Sequence, residues 1–124
     1  MKELIPSERI EQIILLIRGE KVILDADLAR PYGVPTKRLN EQVKRNAERF
    51  PSDFVFKLTQ EEAWEWFYSR SQIATLKRGS NIKYLPYAFT EHGAIMAANV
   101  LSSKLAIEMS IFVVRAFVHL RKLL

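Results

Sequence analysis

The chain has no cysteine. Disulfides, thiolate nucleophiles and thiolate metal centres are therefore excluded, and a reducing, cytoplasmic compartment is the natural fit. Histidine is nearly as scarce: His92 and His119 stand far apart and form no ligand-like pair. The sequence has no HExxH helix, no glycine-rich phosphate loop and no Gly-x-Ser-x-Gly elbow. No set of carboxylates converges as a metal-dependent nuclease would require. Asp25 and Asp27 are better explained as helix-start residues, favoured by the helix dipole. These absences point away from an enzyme and away from any metal or cofactor. There is also no long apolar run free of charge. The longest candidate, Leu105 to Leu120, contains Glu108, Arg115 and His119, which argues against a membrane span. The N-terminus, Met-Lys-Glu-Leu-Ile-Pro, lacks the layout of a signal peptide.

What remains is a chain of 124 residues, 48% hydrophobic. That is enough for one domain with a real core. Lys and Arg total 19 against 14 Asp and Glu, a net charge of +5. A balance of this size permits a nucleic-acid partner without demanding one.

The stretch from Asp25 to Phe50 carries the strongest pattern. Leu28, Ala29 and Tyr32 give a short first helix an inner face. Gly33 sits where the chain must turn with positive φ, which glycine adopts without a Cβ clash. Val34 would plug the corner. Pro35 suits a first helical turn, and Thr36 is the better capping residue at that boundary. Leu39, Val43, Ala47 and Phe50 then recur as one buried stripe of a second helix, about 36–49. Lys37, Glu41, Lys44 and Glu48 point away from that stripe, with Arg38, Asn40 and Arg45 on its shoulders. This is the layout of a helix-turn-helix, in which the second helix enters the DNA major groove. Thr36, Lys37, Arg38, Asn40, Glu41, Lys44 and Arg45 are its candidate contacts, long donors suited to base edges and phosphates. Pro31 removes a backbone donor near the end of the first helix, so that helix should be short or kinked.

The flanks have their own signals. Ser7 to Gln12 reads as a short helix. Ile13 to Ile17, Arg18-Gly19-Glu20 and Val22-Ile23-Leu24 read as a β-hairpin running into Asp25, a plausible cap for the next helix. Asp53 to Leu58 alternates as a half-buried strand, with Phe54, Phe56 and Leu58 on one face. Thr59-Gln60-Glu61-Glu62 matches a capping box and opens a helix bearing Trp64, Trp66, Phe67 and Tyr68, read mostly as core. From Arg70 to Phe89 no acidic residue occurs. Ile73–Leu76 and Ile82–Leu85 are strand-like about a turn at Lys77–Asn81. The result is a basic hairpin, about 70–85, whose Arg70, Lys77, Arg78 and Lys83 would hold phosphates. Thr90 caps a helix running to about Val100, with Ala94, Ala97 and Ala98 allowing close approach. Ser102 or Ser103 caps a last, long helix. On it Lys104, Glu108, Arg115, His119 and Lys122 form one narrow polar stripe. A helix this apolar needs cover on more than one side. Either it is the central core helix, or it buries a face against a second copy. The expected fold is a small single α+β domain with a helix-turn-helix-like unit, short β-hairpins and a long apolar C-terminal helix.

Several runs, taken in order, resemble a known family. They are Val22-Ile23-Leu24-Asp25-Ala26-Asp27-Leu28-Ala29, Tyr32-Gly33-Val34, Thr36-Lys37-Arg38-Leu39-Asn40-Glu41, Lys44-Arg45-Asn46 and Glu48-Arg49-Phe50-Pro51-Ser52-Asp53-Phe54. Arg70 to Thr75, Tyr84 to Gly93 and Arg115-Ala116-Phe117-Val118 extend them. The chain resembles the phage ORF-six N-terminal (ORF6N) domain, sister of the KilA-N and Bro-N domains of phages and large DNA viruses. The family usually has leucine or a similar helix former where this chain has Pro31. The resemblance implies a cofactor-free α+β domain that binds double-stranded DNA. Such a domain usually forms the N-terminal part of a longer phage or prophage regulator, sometimes an antirepressor. The expected partners are double-stranded DNA and, in some arrangements, a second copy through the C-terminal helix. The alternative is an antirepressor-type module that binds a repressor protein instead of DNA.

Overall fold

The computed structural model describes residues 6–70 and 82–123, without the side chains of residues 6 and 67–70. The chain opens with helix α1 (Pro6–Glu11) and a hairpin of β1 (Leu15–Ile17) and β2 (Glu20–Leu24). Arg18 and Gly19 turn the hairpin, both at positive φ. A two-residue loop of that kind matches the right-handed twist of its strands. It also fixes the register that the sequence left open, pairing Leu15 with Val22 and Ile17 with Glu20.

Two helices follow, α2 (Asp25–Tyr32) and α3 (Thr36–Arg45), then a 3-10 turn (Ala47–Arg49). Strand β3 (Val55–Lys57), helix α4 (Gln60–Arg70), strand β4 (Tyr87–Phe89) and helices α5 (Glu91–Leu101) and α6 (Lys104–Lys122) complete the order. The strands form one antiparallel sheet, β1-β2-β4-β3. This is the α+β class expected, with a long apolar last helix.

The sheet separates two cores. Ile23, Phe89, Val55 and Tyr87 face the larger one, filled by Leu28, Tyr32, Leu39, Ala97, Val113 and Phe117 from α2, α3, α5 and α6. Val22, Leu24, Ala88 and Phe56 face the smaller one with Leu58 and Ala63. Each strand thus contributes alternate residues to opposite faces. Helix α6 packs on α5, α1 and α2, so its buried residues Ala106, Val113, Ala116 and Phe117 serve the main core. Its polar stripe reaches outward: His119 Nδ1 lies 2.9 Å from Glu11 on α1, and Arg121 pairs with Glu91 on α5.

The local signals behave as their chemistry demands. Thr59 Oγ1 accepts from Glu62 N at 3.1 Å, and Glu62 Oε1 accepts from Thr59 N at 2.9 Å, a complete capping box. Glu62 also receives both Arg18 Nε and Arg18 Nη2, at 2.7 and 3.0 Å. That forked contact holds the Glu62 carboxyl below its ordinary range and pins the hairpin turn to α4. Thr90 accepts from Gly93 N at 3.3 Å, and Ser103 accepts from Ala106 N at 3.0 Å. Gly93 is obligatory for packing, because a Cβ there would stand 2.0 Å from the Phe54 carbonyl oxygen.

Several expectations are corrected. The second helix of the pair stops at Arg45, not near residue 49. Asn46 donates its side-chain amide to Gln42 O at 2.8 Å, competing with the helical backbone pattern. The chain then tightens into the 3-10 turn, which leaves Ala47 exposed while Phe50 still reaches the core. The strand expected from Asp53 to Leu58 is only Val55–Lys57. Residues 82–85 are not a strand; they form a bend. Gln60 fixes that bend by donating to Ile82 O and accepting from Ile82 N, both at 2.9 Å. The rest of the expected basic hairpin, residues 71–81, lies outside the described residues, as do the side chains of Phe67, Tyr68 and Arg70. Strand β4 is an inner strand that the sequence did not announce. Finally, Leu24 and Pro35 precede α2 and α3 without side-chain caps, so Asp25 and Thr36 are first helical residues instead of caps.

Candidate functional site

The corner between α2 and α3 is built by backbone bonds. Gly33 N donates to Arg30 O and Val34 N to Ala29 O, each at 3.1 Å, with Gly33 at φ 73°. This crossed pair closes a helix end where only a left-handed residue fits. Pro31 falls in the last turn, one residue from the helix end, where it removes one backbone donor without breaking the helix.

Helix α3 is anchored at two points. Leu39 is wholly buried. Asn40 donates Nδ2 to Asp25 Oδ2 at 3.0 Å. The same Asp25 oxygen accepts from Tyr87 N at 3.2 Å, and Asp25 Oδ1 accepts from Ala26 N at 2.7 Å. One buried carboxylate therefore joins α2, α3 and β4. The Nδ2 of Asn40 thus serves to position the helix, while its buried Oδ1 is left without a partner among the described residues.

The rest of α3 divides into two edges and an outer face. Thr36, Asn40 and Lys44, four residues apart, run along the edge facing β4. Lys37 and Glu41 are exposed on the outer face, while Arg38 and Arg45 are exposed along the opposite edge. No acidic residue occupies the first turn, and Lys44 and Arg45 close the last one.

Thr36, Asn40, Lys44 and Lys83 come together around one cleft of about 440 Å³. Lys57 on β3, Trp66 on α4, and Tyr84 and Tyr87 complete it, with Asp25 at its wall. The Lys57 ammonium lies 5.7 Å from the centre of the Tyr87 ring, and Lys83 lies 5.4 Å from that of Tyr84. Tyr84 is 80% exposed. Lys37, Arg38, Glu41 and Arg45 are not part of the cleft, and Arg70, Lys77 and Arg78 fall outside the described side chains. Sequence reasoning missed Lys57, Tyr84 and Tyr87. Lys57 was assigned only to a strand face. Tyr84 reads only as part of a strand-like run, Ile82–Leu85, and Tyr87 as a lead into the Thr90 cap, so neither is picked as a contact.

Among the described residues, no helix is long and apolar enough to cross a membrane. The domain model described as "ORF6N domain" matches residues 12–100, more than half the chain. No curated protein and no solved structure matches. The matched span takes in the sheet, the α2–α3 pair, the cleft and nearly all of α5, and stops before α6.

Proposed function

The chain belongs to the ORF6N domain family, and from that premise we propose that it binds double-stranded DNA through α3, as a phage or prophage regulatory domain. The observation that carries this reading is the outward face of α3. Lys37, Arg38, Lys44 and Arg45 are all exposed there, on a short helix held rigidly by Leu39 and the Asp25–Asn40 bond. A cationic helix standing clear of a fixed corner is suited to enter a major groove, and its long donors reach base edges and phosphates. Thr36 offers a hydroxyl that can donate or accept beside them, and Glu41 a carboxylate that accepts. Lys57 and Lys83 extend the positive surface across the cleft to neighbouring phosphates. Asn40 enters as a positioning residue.

The test is a gel-shift titration on duplexes selected from a random pool, repeated across salt concentrations. Affinity should fall steeply with salt, reflecting several released counterions. Salt-independent binding, or none at micromolar protein, would overturn the reading.

A second reading is favoured by one observation. Ile107 and Ile111, one turn apart on α6, are each about half exposed. An exposed apolar pair of this kind suits a protein partner, either a repressor or a second copy of the chain. Sedimentation equilibrium separates these: a dimer that Ile107→Lys with Ile111→Lys dissolves points to self-association.

A further inference from the structure

The cleft beside α3 has features that paired DNA does not call for. The backbone of a duplex is a convex, charged rail, and its bases are stacked inside. A row of exposed lysines grips such a rail without any concavity. Here the lysines instead rim a hollow of about 440 Å³ walled by Leu24, Leu85 and Pro86. A hollow of this volume falls within the range of small-ligand sites, which combine apolar walls with a few polar groups. Its rim carries an aromatic ring, Tyr84, that is 80% exposed, although a tyrosine ordinarily buries much of its surface.

We infer that this cleft receives the base of one unpaired nucleotide, with its phosphate on the lysine rim. The inference rests on the DNA-binding reading and adds to it a preference for DNA carrying an unstacked base. Three observations fix the orientation. Lys44, Lys57 and Lys83 come from three separate parts of the chain yet line the same cleft, and a phosphate is best held where such cations gather. Asp25 and Asp27 also line the cleft and are buried; carboxylates there disfavour a phosphate at that wall, so the base end is the one that enters. Tyr84 offers an exposed flat face on which an unstacked base gains most, and Lys83 stands 5.4 Å from the centre of that ring. Gln60 holds Ile82 and Asp25 holds the Tyr87 backbone, so the segment bearing Tyr84 is tied at both ends.

The test compares one duplex with the same duplex carrying a single bulged thymine, at fixed salt, using the whole chain. The bulged form should bind about fivefold tighter or more, the scale of stacking one base on one aromatic ring. Tyr84→Ala should bring the ratio of the two affinities close to one, and Tyr84→Phe should restore it. Because Tyr84 is exposed, neither change threatens folding. With 5-iodouracil at the bulge, light-induced cross-links should fall within residues 82–87. Equal affinity for both duplexes, a ratio that Tyr84→Ala leaves intact, or cross-links confined to α3 would each overturn the inference. In those cases salt-dependent binding of the paired duplex would leave the broader DNA reading standing. Loss of binding to both duplexes would remove both.

Discussion

Two helix pairs frame the larger core, and both turn on a left-handed residue. Helices α2 and α3 turn at Gly33, φ 73°; α5 and α6 turn at Ser102, φ 56°. The corners look alike, but their surroundings differ. A Cβ on Gly33 would meet Leu105 Cδ2 at 2.5 Å, so the first corner is packed against the second pair. Ser102 is exposed and satisfies its hydroxyl by donating to Asn99 O at 3.1 Å. The outer faces differ as well. Helix α3 shows Lys37, Arg38, Lys44 and Arg45, whereas α6 exposes Ile107 and Ile111 beside its charged stripe. The same corner geometry thus presents a cationic helix on one side and a partly apolar one on the other. Surface chemistry, not the turn, separates a nucleic-acid reading from a protein-partner reading.

That contrast can be broken experimentally, beginning with the cores beneath each pair. Phe117→Ala on α6 and Leu39→Ala on α3 should each destabilise by about 3 kcal/mol, measured by urea unfolding. Similar losses would show that both pairs share one cooperative core; separate transitions would show that they do not. Next come the outer faces. Lys37→Glu with Lys44→Glu should weaken duplex binding roughly tenfold or more and lower the salt slope by about 1 per removed phosphate contact. Lys104→Glu with Lys122→Glu, on α6, should change affinity much less. Equal effects would dissolve the distinction between the faces. The corners themselves come third. Gly33→Ala should lower stability by about 1–2 kcal/mol, because a left-handed backbone disfavours any Cβ and Leu105 must shift. Ser102→Gly should change stability by less than about 0.5 kcal/mol in the same assay. The smallest effect is at the caps. Ser103→Ala removes the oxygen that receives Ala106 N and should cost about 1 kcal/mol. Alanine at Pro35, where α3 has no side-chain cap, should cost less.

The first pair was legible in the sequence because each of its requirements is local. Gly33, the spacing of Leu28, Ala29 and Tyr32, and the capping box at Thr59 and Glu62 lie within one or two helical turns of their partners. The first strand pair was equally readable, since Arg18-Gly19 joins its halves directly. Strand β4 was not, because three residues between a proline and a helix cap show no period. It is a strand only because β2 and β3 flank it. The end of α3 was overestimated because an apolar stripe continued through Ala47 and Phe50, while the competing Asn46 amide leaves no periodic mark. The cleft was half visible. Thr36, Asn40, Lys44 and Lys83 were picked for charge and helix face, but Lys57, Tyr84 and Tyr87 join them only through the β3–β4 pairing. Asn40 illustrates the limit well: its place on the helix was predicted, yet its bond to Asp25 requires the tertiary fold.

Gln60 makes the mouth of the cleft an adjustable part. Its side-chain amide copies a peptide unit, meeting Ile82 as a neighbouring strand would, with one bond given and one received. The segment bearing Lys83 and Tyr84 is therefore tied at its Ile82 end by a side chain at the start of α4, while its other end joins the sheet at Pro86 and Tyr87. Glutamate in place of Gln60 would keep the shape but lose the donor, leaving one of the two bonds at Ile82. Selection could thus retune what the domain grips by changing one residue that never touches the bound molecule, while the sheet and both helix pairs stay as they are.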